Sequence, residues 1–206
     1  RIFSDFIFRY LVHLGFNGNI KDETCEIFYS SSGLDTDNLT PLSILIKKYI
    51  IRKKNDILFL TSANFGHSEF CLFEGGAAWA TKSVGDYKIL ALTYDSIPQF
   101  LTNGKSEVVL NIKAKEDLQL DEIKYNYLVN IFNRLISHLN KNREVSGMPQ
   151  VPVLSEVHIP DMVELKRLGK TPIDFMDSTL VEYWNTYVIE QADTYFTIKA
   201  SPEPKN

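Results

Sequence analysis

What the chain has little of narrows the field first. Its 206 residues include only two cysteines, Cys25 and Cys71. That is too few for a disulfide framework or a four-thiolate zinc site, and it suits a reducing, cytoplasmic setting. No apolar run approaches the roughly 20 residues that a membrane helix requires, and there is no internal repeat, low-complexity tract or signal-peptide pattern. His13, His67, His138 and His158 are scattered without ligand spacing, so no metal is expected. Basic charge is not in excess either: 22 Lys and Arg stand against 26 Asp and Glu, a net charge of -4. Such a balance repels a phosphate backbone or an anionic lipid surface, so neither nucleic acid nor membrane is an expected partner. The chain opens at Arg1 without a Met, and sequence in front of it is expected to be missing.

What is there describes a globular chain. With 44% hydrophobic and 23% charged residues, disordered, collagen-like and coiled-coil classes drop out, and the length suffices for a real core. Apolar residues recur at helical spacing over residues 5–14, with Gly15 after them as a left-handed stop. A short apolar run at 25–29 reads as a strand running into the turn 30–33. Pro41 opens a second helical stripe through Ile50, whose last turns carry the basic cluster 47–54. Residues 56–61 and 87–94 are nearly continuous apolar runs, as expected of parallel strands covered on both faces, and 108–112 reads as a further strand. Between them, 68–81 reads as helix, and 121–139 carries the longest stripe in the chain: Ile123, Tyr127, Leu128, Ile131, Phe132, Leu135, Ile136 and Leu139. This rhythm argues for an α/β fold, an open parallel sheet with helices on both faces. From residue 145 onward the prolines at 149, 152, 160 and 172 interrupt the alternation, with one more helix expected over 177–188. That stretch has too little core to stand alone.

The segment 62–79 is richest in chemistry. Ligands of open α/β sheets sit beyond the carboxyl ends of strands, so a loop and helix start after a buried strand are well placed. Glu74 stands alone among apolar and small residues from Cys71 to Ala80; a carboxylate there loses solvation unless it faces a cleft or has a partner. Phe70 and Glu74, four apart, share one helix face, with His67 and Ala78 close in projection and Trp79 on roughly the opposite side. Plainer roles stand beside these: Ser68 as a helix cap, His67 as a loop or rim residue, Phe70, Trp79 and Trp184 as core, and Cys71 as a small hydrophobe rather than a nucleophile.

Ser68-Glu69-Phe70-Cys71-Leu72-Phe73-Glu74 resembles the opening of the third helix of the Toll/interleukin-1 receptor (TIR) domain: Ser, a spacer, an aromatic residue, Cys, two spacers and Glu. Residues 56–62 are similar to the TIR strand before that helix, 27–33 to the strand and loop that mediate assembly, and 6–15 to the first helix; together the resemblance covers roughly residues 1–139. It implies a flavodoxin-like (TIR-like) domain over 1–142, of the stand-alone bacterial type, with 143–206 as a C-terminal extension packed on it. Phe70 stands where the family often has Trp, and the family's first strand and following loop are not identifiable before Asp5.

In the catalytic branch of the family, the glutamate on this helix is required to cleave the bond between nicotinamide and ribose in NAD. The resemblance therefore implies Glu74 as catalytic residue, NAD as substrate rather than cofactor, Phe70, Ser68 and His67 on the substrate side, and self-association through a loop containing Ser32, Gly33 and Asp35. The chemistry is coherent by itself. Nicotinamide leaves a cationic pyridinium as a neutral base, so no acid is needed, and one carboxylate can oppose the positive charge growing on the sugar. The products would be nicotinamide with ADP-ribose or a cyclic ADP-ribose signal, in an immune or defence response. The competing function is a non-catalytic TIR adaptor that only assembles. A phosphoacceptor receiver would want an Asp at the end of its middle strand, and Leu58-Phe59-Leu60-Thr61-Ser62 has none. A nucleoside-transferring enzyme of similar fold would act on deoxynucleosides and spare NAD.

Overall fold

The computed structural model describes residues 2–16, 27, 42–51, 56–83, 87–104, 107–145 and 147–192. By their contacts the residues fall into two compact units, Phe28–Lys113, and Arg1–Ile27 together with Ala114–Asn206. The helices are α1 (Ile2–His13), α2 (Leu42–Ile51), α3 (Glu69–Thr81), α4 (Glu122–Val145), α5 (Met162–Leu168) and α6 (Ser178–Trp184); the strands are β1 (Ile57–Thr61), β2 (Tyr87–Ala91) and β3 (Glu107–Val109). Among the described residues no helix is long and apolar enough to cross a membrane.

The unit Phe28–Lys113 is a small α/β arrangement, a three-stranded parallel sheet flanked by helices, in the order β1-β2-β3. Ile57 lies opposite Tyr87 and Thr61 opposite Ala91, while Ile89 lies opposite Glu107. Phe59, Ile89 and Ala91 from the strands join Ile50, Phe65, Ala78, Tyr87 and Leu101 in its core. Ladder bonds run on past the strand ends, from Leu92 N to Thr61 O (3.0 Å) and from Leu110 N to Ala91 O (2.9 Å). The strands nevertheless stop earlier than the apolar runs suggest. After β2 the chain turns at Thr93, where Ser96 Oγ donates to Thr93 O (2.7 Å) and accepts from Thr93 N (3.2 Å). After β3, Asn111 takes a left-handed backbone (φ 54°), a conformation Asn tolerates better than most residues. The expected strand at 25–29 lies outside the described residues apart from Ile27.

Helix α3 is apolar on two sides. Gly75 and Ala78 are buried and Cys71 packs against the core, whereas Leu72, Phe73 (61% exposed) and Trp79 (55% exposed) face outward. Trp79 is thus a surface residue and not the core residue its size suggests; Trp184, at 1% exposure, is core. The two adjacent glycines differ as sharply. A Cβ on Gly75 would stand 2.8 Å from Phe100 Cζ, while one on Gly76 would meet nothing within 4 Å.

In the other unit, α1 lays Phe6 and Tyr10 against α4 and α6. The Phe6 ring meets Phe132 edge-on at 6.0 Å and Trp184 at 5.3 Å, and Tyr10 lies 4.7 Å from Phe132. Trp184 Nε1 donates to Leu118 O (2.9 Å), so the buried indole keeps its hydrogen bond. The buried stripe of α4 runs through Tyr125, Leu128, Val129, Ile131, Phe132, Ile136 and Leu139; Ile123 and Tyr127, expected in it, are 63% and 37% exposed. Helix α6 begins where expected, capped by Asp177, then loosens into a π-helical turn over Asn185–Ile189.

Between α4 and α5 the chain returns along α4 without forming helix or strand. Asn140, Asn133 and Asn126 each clasp one residue of this strap through both amide atoms. Asn140 Nδ2 donates to Val151 O and its Oδ1 accepts from Val151 N, both at 2.8 Å. Asn133 does the same to Leu154 (2.8 and 2.8 Å) and Asn126 to Val157 (2.8 and 2.9 Å). The spacings agree physically: seven helical residues advance about 10.5 Å, close to the span of three residues of extended chain at about 3.3 Å each. Glu122 Oε2 then takes the Ile159 amide (2.8 Å), and that bond, followed by the one to His158, holds its carboxyl below the usual range.

Two stability measurements follow. Asn133→Ala leaves both backbone groups of Leu154 without protein partners and is expected to cost about 1–3 kcal/mol in urea unfolding; no loss relative to wild type would show that the clasp contributes nothing. Gly76→Ala is expected to gain about 0.5–1 kcal/mol from helix propensity, a gain that Gly75→Ala forfeits because the Phe100 ring must move. Equal melting temperatures for the two variants would contradict this.

Candidate active site

The site is built at the carboxyl end of β1, the end at which open α/β sheets bind ligands. Thr61, the last residue of the strand, is buried, and its Oγ1 has no hydrogen-bond partner among the described residues. Its carbonyl accepts from Leu92 N (3.0 Å), which fastens the ends of β1 and β2 together, and Ser96 Oγ, whose single proton lies closer to Thr93 O, stands 3.2 Å away. A buried hydroxyl without a partner is uncommon and calls for a water, a ligand or a local role. Sequence reading passed over Thr61 and Ser96; the one available signal was a hydroxyl ending an otherwise apolar strand.

From Thr61 the chain makes a turn at 63–64 and a single 3₁₀ turn, Phe65–His67, before α3. Phe65 drops into the core and fixes the turn, meeting Phe59 edge-on at 6.2 Å. Ser68 caps α3: its backbone is extended and its Oγ accepts from Cys71 N at 3.3 Å. This is the hydrogen bond that a first-turn amide otherwise lacks. His67, just before it, is exposed.

One turn and a half into α3, Glu74 is half-buried. Burial pushes its carboxyl above the usual range. Among the described residues it has neither a hydrogen bond nor an ion pair. A half-buried carboxylate perturbed by desolvation, on the helix that follows β1, is a candidate functional group. Phe70 lies one turn earlier on the same face of the helix and is 42% exposed, so its ring is open on one side. Cys71 faces the core as a free thiol.

The structure thus brings His67, Ser68, Phe70 and Glu74 onto one turn and the helix that follows it. Ser32, Gly33 and Asp35, the expected assembly loop, lie outside the described residues. Among the described residues, no three His, Cys, Asp or Glu side chains gather where they could hold a metal ion. Along this turn and helix stand one half-buried carboxylate, Glu74, and one exposed aromatic ring, Phe70. When the chain is compared with protein-family models, with curated proteins and with solved structures, none of them matches.

The raised carboxyl gives a pH signature independent of any ligand. The folded protein holds the Glu74 proton more tightly than the unfolded chain, whose value is near the ordinary 4.5. Stability from this group is therefore full below that value and is lost as pH rises through the folded pKa. Glu74→Gln removes the dependence, so the melting temperature of the variant is expected to gain on wild type between acid and neutral pH. A constant difference across that range would show that Glu74 is no harder to ionise in the fold than outside it.

Proposed function

We infer that the chain is a TIR-type NAD glycohydrolase acting in a defence or signalling response in the cytoplasm, with Glu74 as its catalytic carboxylate. The observation that carries this reading is Glu74 itself: half-buried, unpaired among the described residues and hard to ionise, on the helix that follows the buried strand β1. The unbroken register from Ser68 to Glu74 supports it, as does the sequential parallel order β1-β2-β3, which suits the later half of a flavodoxin-like sheet.

The chemistry follows from one charge. A cationic nicotinamide ring entering the site favours the ionised form of Glu74, offsetting the desolvation that raises its pKa. The carboxylate holds the ribose hydroxyls and opposes the positive charge that grows on the sugar as the bond to nicotinamide lengthens. The bonding pair leaves with nicotinamide, which departs neutral and needs no proton. Water then attacks the sugar carbon to give ADP-ribose, or the adenine of the same molecule attacks it to give the cyclic product, and in either case one proton is released to solvent. Phe70 offers its open face to the nicotinamide or ribose, and Thr61 Oγ1 is a spare hydrogen-bonding group at the sheet edge.

A second reading, assembly without chemistry, draws on the outward apolar side of α3, where Leu72, Phe73 and Trp79 are exposed. Chromatography of the products after mixing the protein with NAD separates the two. Wild type at high concentration is expected to release nicotinamide, and Glu74→Gln to lose at least about a hundredfold in rate, near 3 kcal/mol of transition-state stabilisation, while remaining folded. A variant with most of the wild-type turnover would remove Glu74 from the mechanism, and NAD left intact by the wild type would favour the adaptor.

The pH profile gives a further check. Activity requires the ionised carboxylate and should fall as pH drops through its raised pKa, so the acid limb of kcat/KM is expected above the ordinary carboxyl value of 4.5. The limb of kcat should lie lower than that of kcat/KM, because bound nicotinamide stabilises the charge. An acid limb at or below the ordinary value would contradict a carboxylate that desolvation makes hard to ionise.

A further inference from the structure

In the unit that holds α1 and α4, a cavity of about 370 Å³ opens beneath the strap. That lies near the lower end of the roughly 300–1,000 Å³ typical of small-molecule sites. Its walls come from α1 through Tyr10 and His13, from α4 through Tyr125, from the strap through Leu154 and Ser155, and from the α6 cap through Asp177. Among the described residues no Lys or Arg lines it. Asp177 supplies the formal negative charge of the wall.

The polar groups are unevenly satisfied. Tyr125 Oη is fully used, donating to Ser155 O (3.4 Å) and accepting from Asp177 N (3.1 Å). Asp177 Oδ1 caps α6 by accepting from Leu180 N (2.8 Å). Its second carboxylate oxygen has no protein partner among the described residues, and neither has the hydroxyl of Tyr10, whose side chain is 99% removed from solvent (1% exposed). Burial first, and the Asp177 carboxylate next, push the Tyr10 hydroxyl to higher pKa, so the carboxylate's field reaches it although the two are not bonded.

We propose that this cavity is a binding site for a small organic cation, a primary ammonium on a short aliphatic stem. The ammonium donates to the open oxygen of Asp177 and to Tyr10 Oη, and the stem lies against Leu154 and the aromatic wall. Two phenol rings, Tyr10 and Tyr125, are among the lining residues. An anion would face Asp177 with no Lys or Arg among the described lining residues to compensate it, and a neutral alcohol would forgo the charge-assisted bond. The site belongs to a different unit from Glu74 and does not depend on NAD chemistry.

The test uses the full chain and n-butylammonium, n-butanol and butyrate as probes, followed by backbone amide shifts in NMR. Butylammonium is expected to shift the amides of residues 154–155 and 177–180 saturably, with butanol and butyrate leaving them unmoved. Asp177→Asn keeps a good helix cap while removing the charge, and is expected to weaken butylammonium roughly ten- to a hundredfold. Tyr10→Phe keeps the ring packing and should weaken it by a smaller factor. The proposal is overturned if butanol binds as tightly as butylammonium, if Asp177→Asn binds butylammonium as wild type does, or if butylammonium produces no saturable shift in the tens of millimolar range. Should the Asp177 variant fail to fold, the three probes on wild type, together with Tyr10→Phe, decide the matter.

Discussion

Three side-chain amides on α4 do for the strap what a neighbouring strand would otherwise do. Asn126, Asn133 and Asn140 each present a donor and an acceptor on one helix face, and each meets the N–H and C=O of one strap residue. An extended segment packed on a helix usually leaves its backbone groups unpaired, because the helix has already used its own. The asparagine ladder removes that penalty, and much in this unit depends on it. It holds Ser155 where Tyr125 can reach it, and Tyr125 in turn takes the amide of Asp177 at the start of α6. Without the ladder the cavity beneath the strap would lose one wall and the α6 cap one anchor.

The sheet unit solves a different problem. Helix α3 buries its small residues, Gly75 and Ala78, against the core and turns its large ones, Phe73 and Trp79, to solvent. The small side lets the Phe100 ring come within reach of the α3 backbone at Gly75. Glu74 falls between the buried side and the open one, far enough in to lose solvation and far enough out for a ligand to reach it. A more ordinary helix, with its large residues inward, would have carried the carboxylate fully to the surface or fully into the core, and neither position leaves an ionisable group with a raised but usable pKa.

Much of this was legible in the residues. Alternation of apolar runs and helical stripes announced β1, α3, β2 and α4, and Ser68 announced its own cap, because those signals are local: periodicity and capping depend on neighbours a few residues away. Glu74 was legible for the same reason, as a charge in a run that otherwise carries none. Trp79 misled because size argues for burial only on average; which side of α3 faces the core is settled by which side can approach Phe100 and the strands. The α4 stripe was mistaken at its start, where Ile123 is exposed and Tyr125 buried, since a hydroxyl-bearing ring satisfied by Ser155 and Asp177 can be core and an isoleucine in the first helical turn need not be.

The local elements, the parallel habit of the strands and the isolation of one carboxylate on α3 each follow from the order of apolar and polar residues along a short stretch of chain. Tertiary structure alone decided the rest. The asparagines at 126, 133 and 140 are visible as a seven-residue repeat, yet polar residues on a long helix ordinarily face water, and only the return of the strap at three residues per step gives them partners. The pairing of α1 with α6 through Phe6, Tyr10 and Trp184 joins segments more than 170 residues apart. It is fixed by how rings of particular shape fill one space, which no local pattern records.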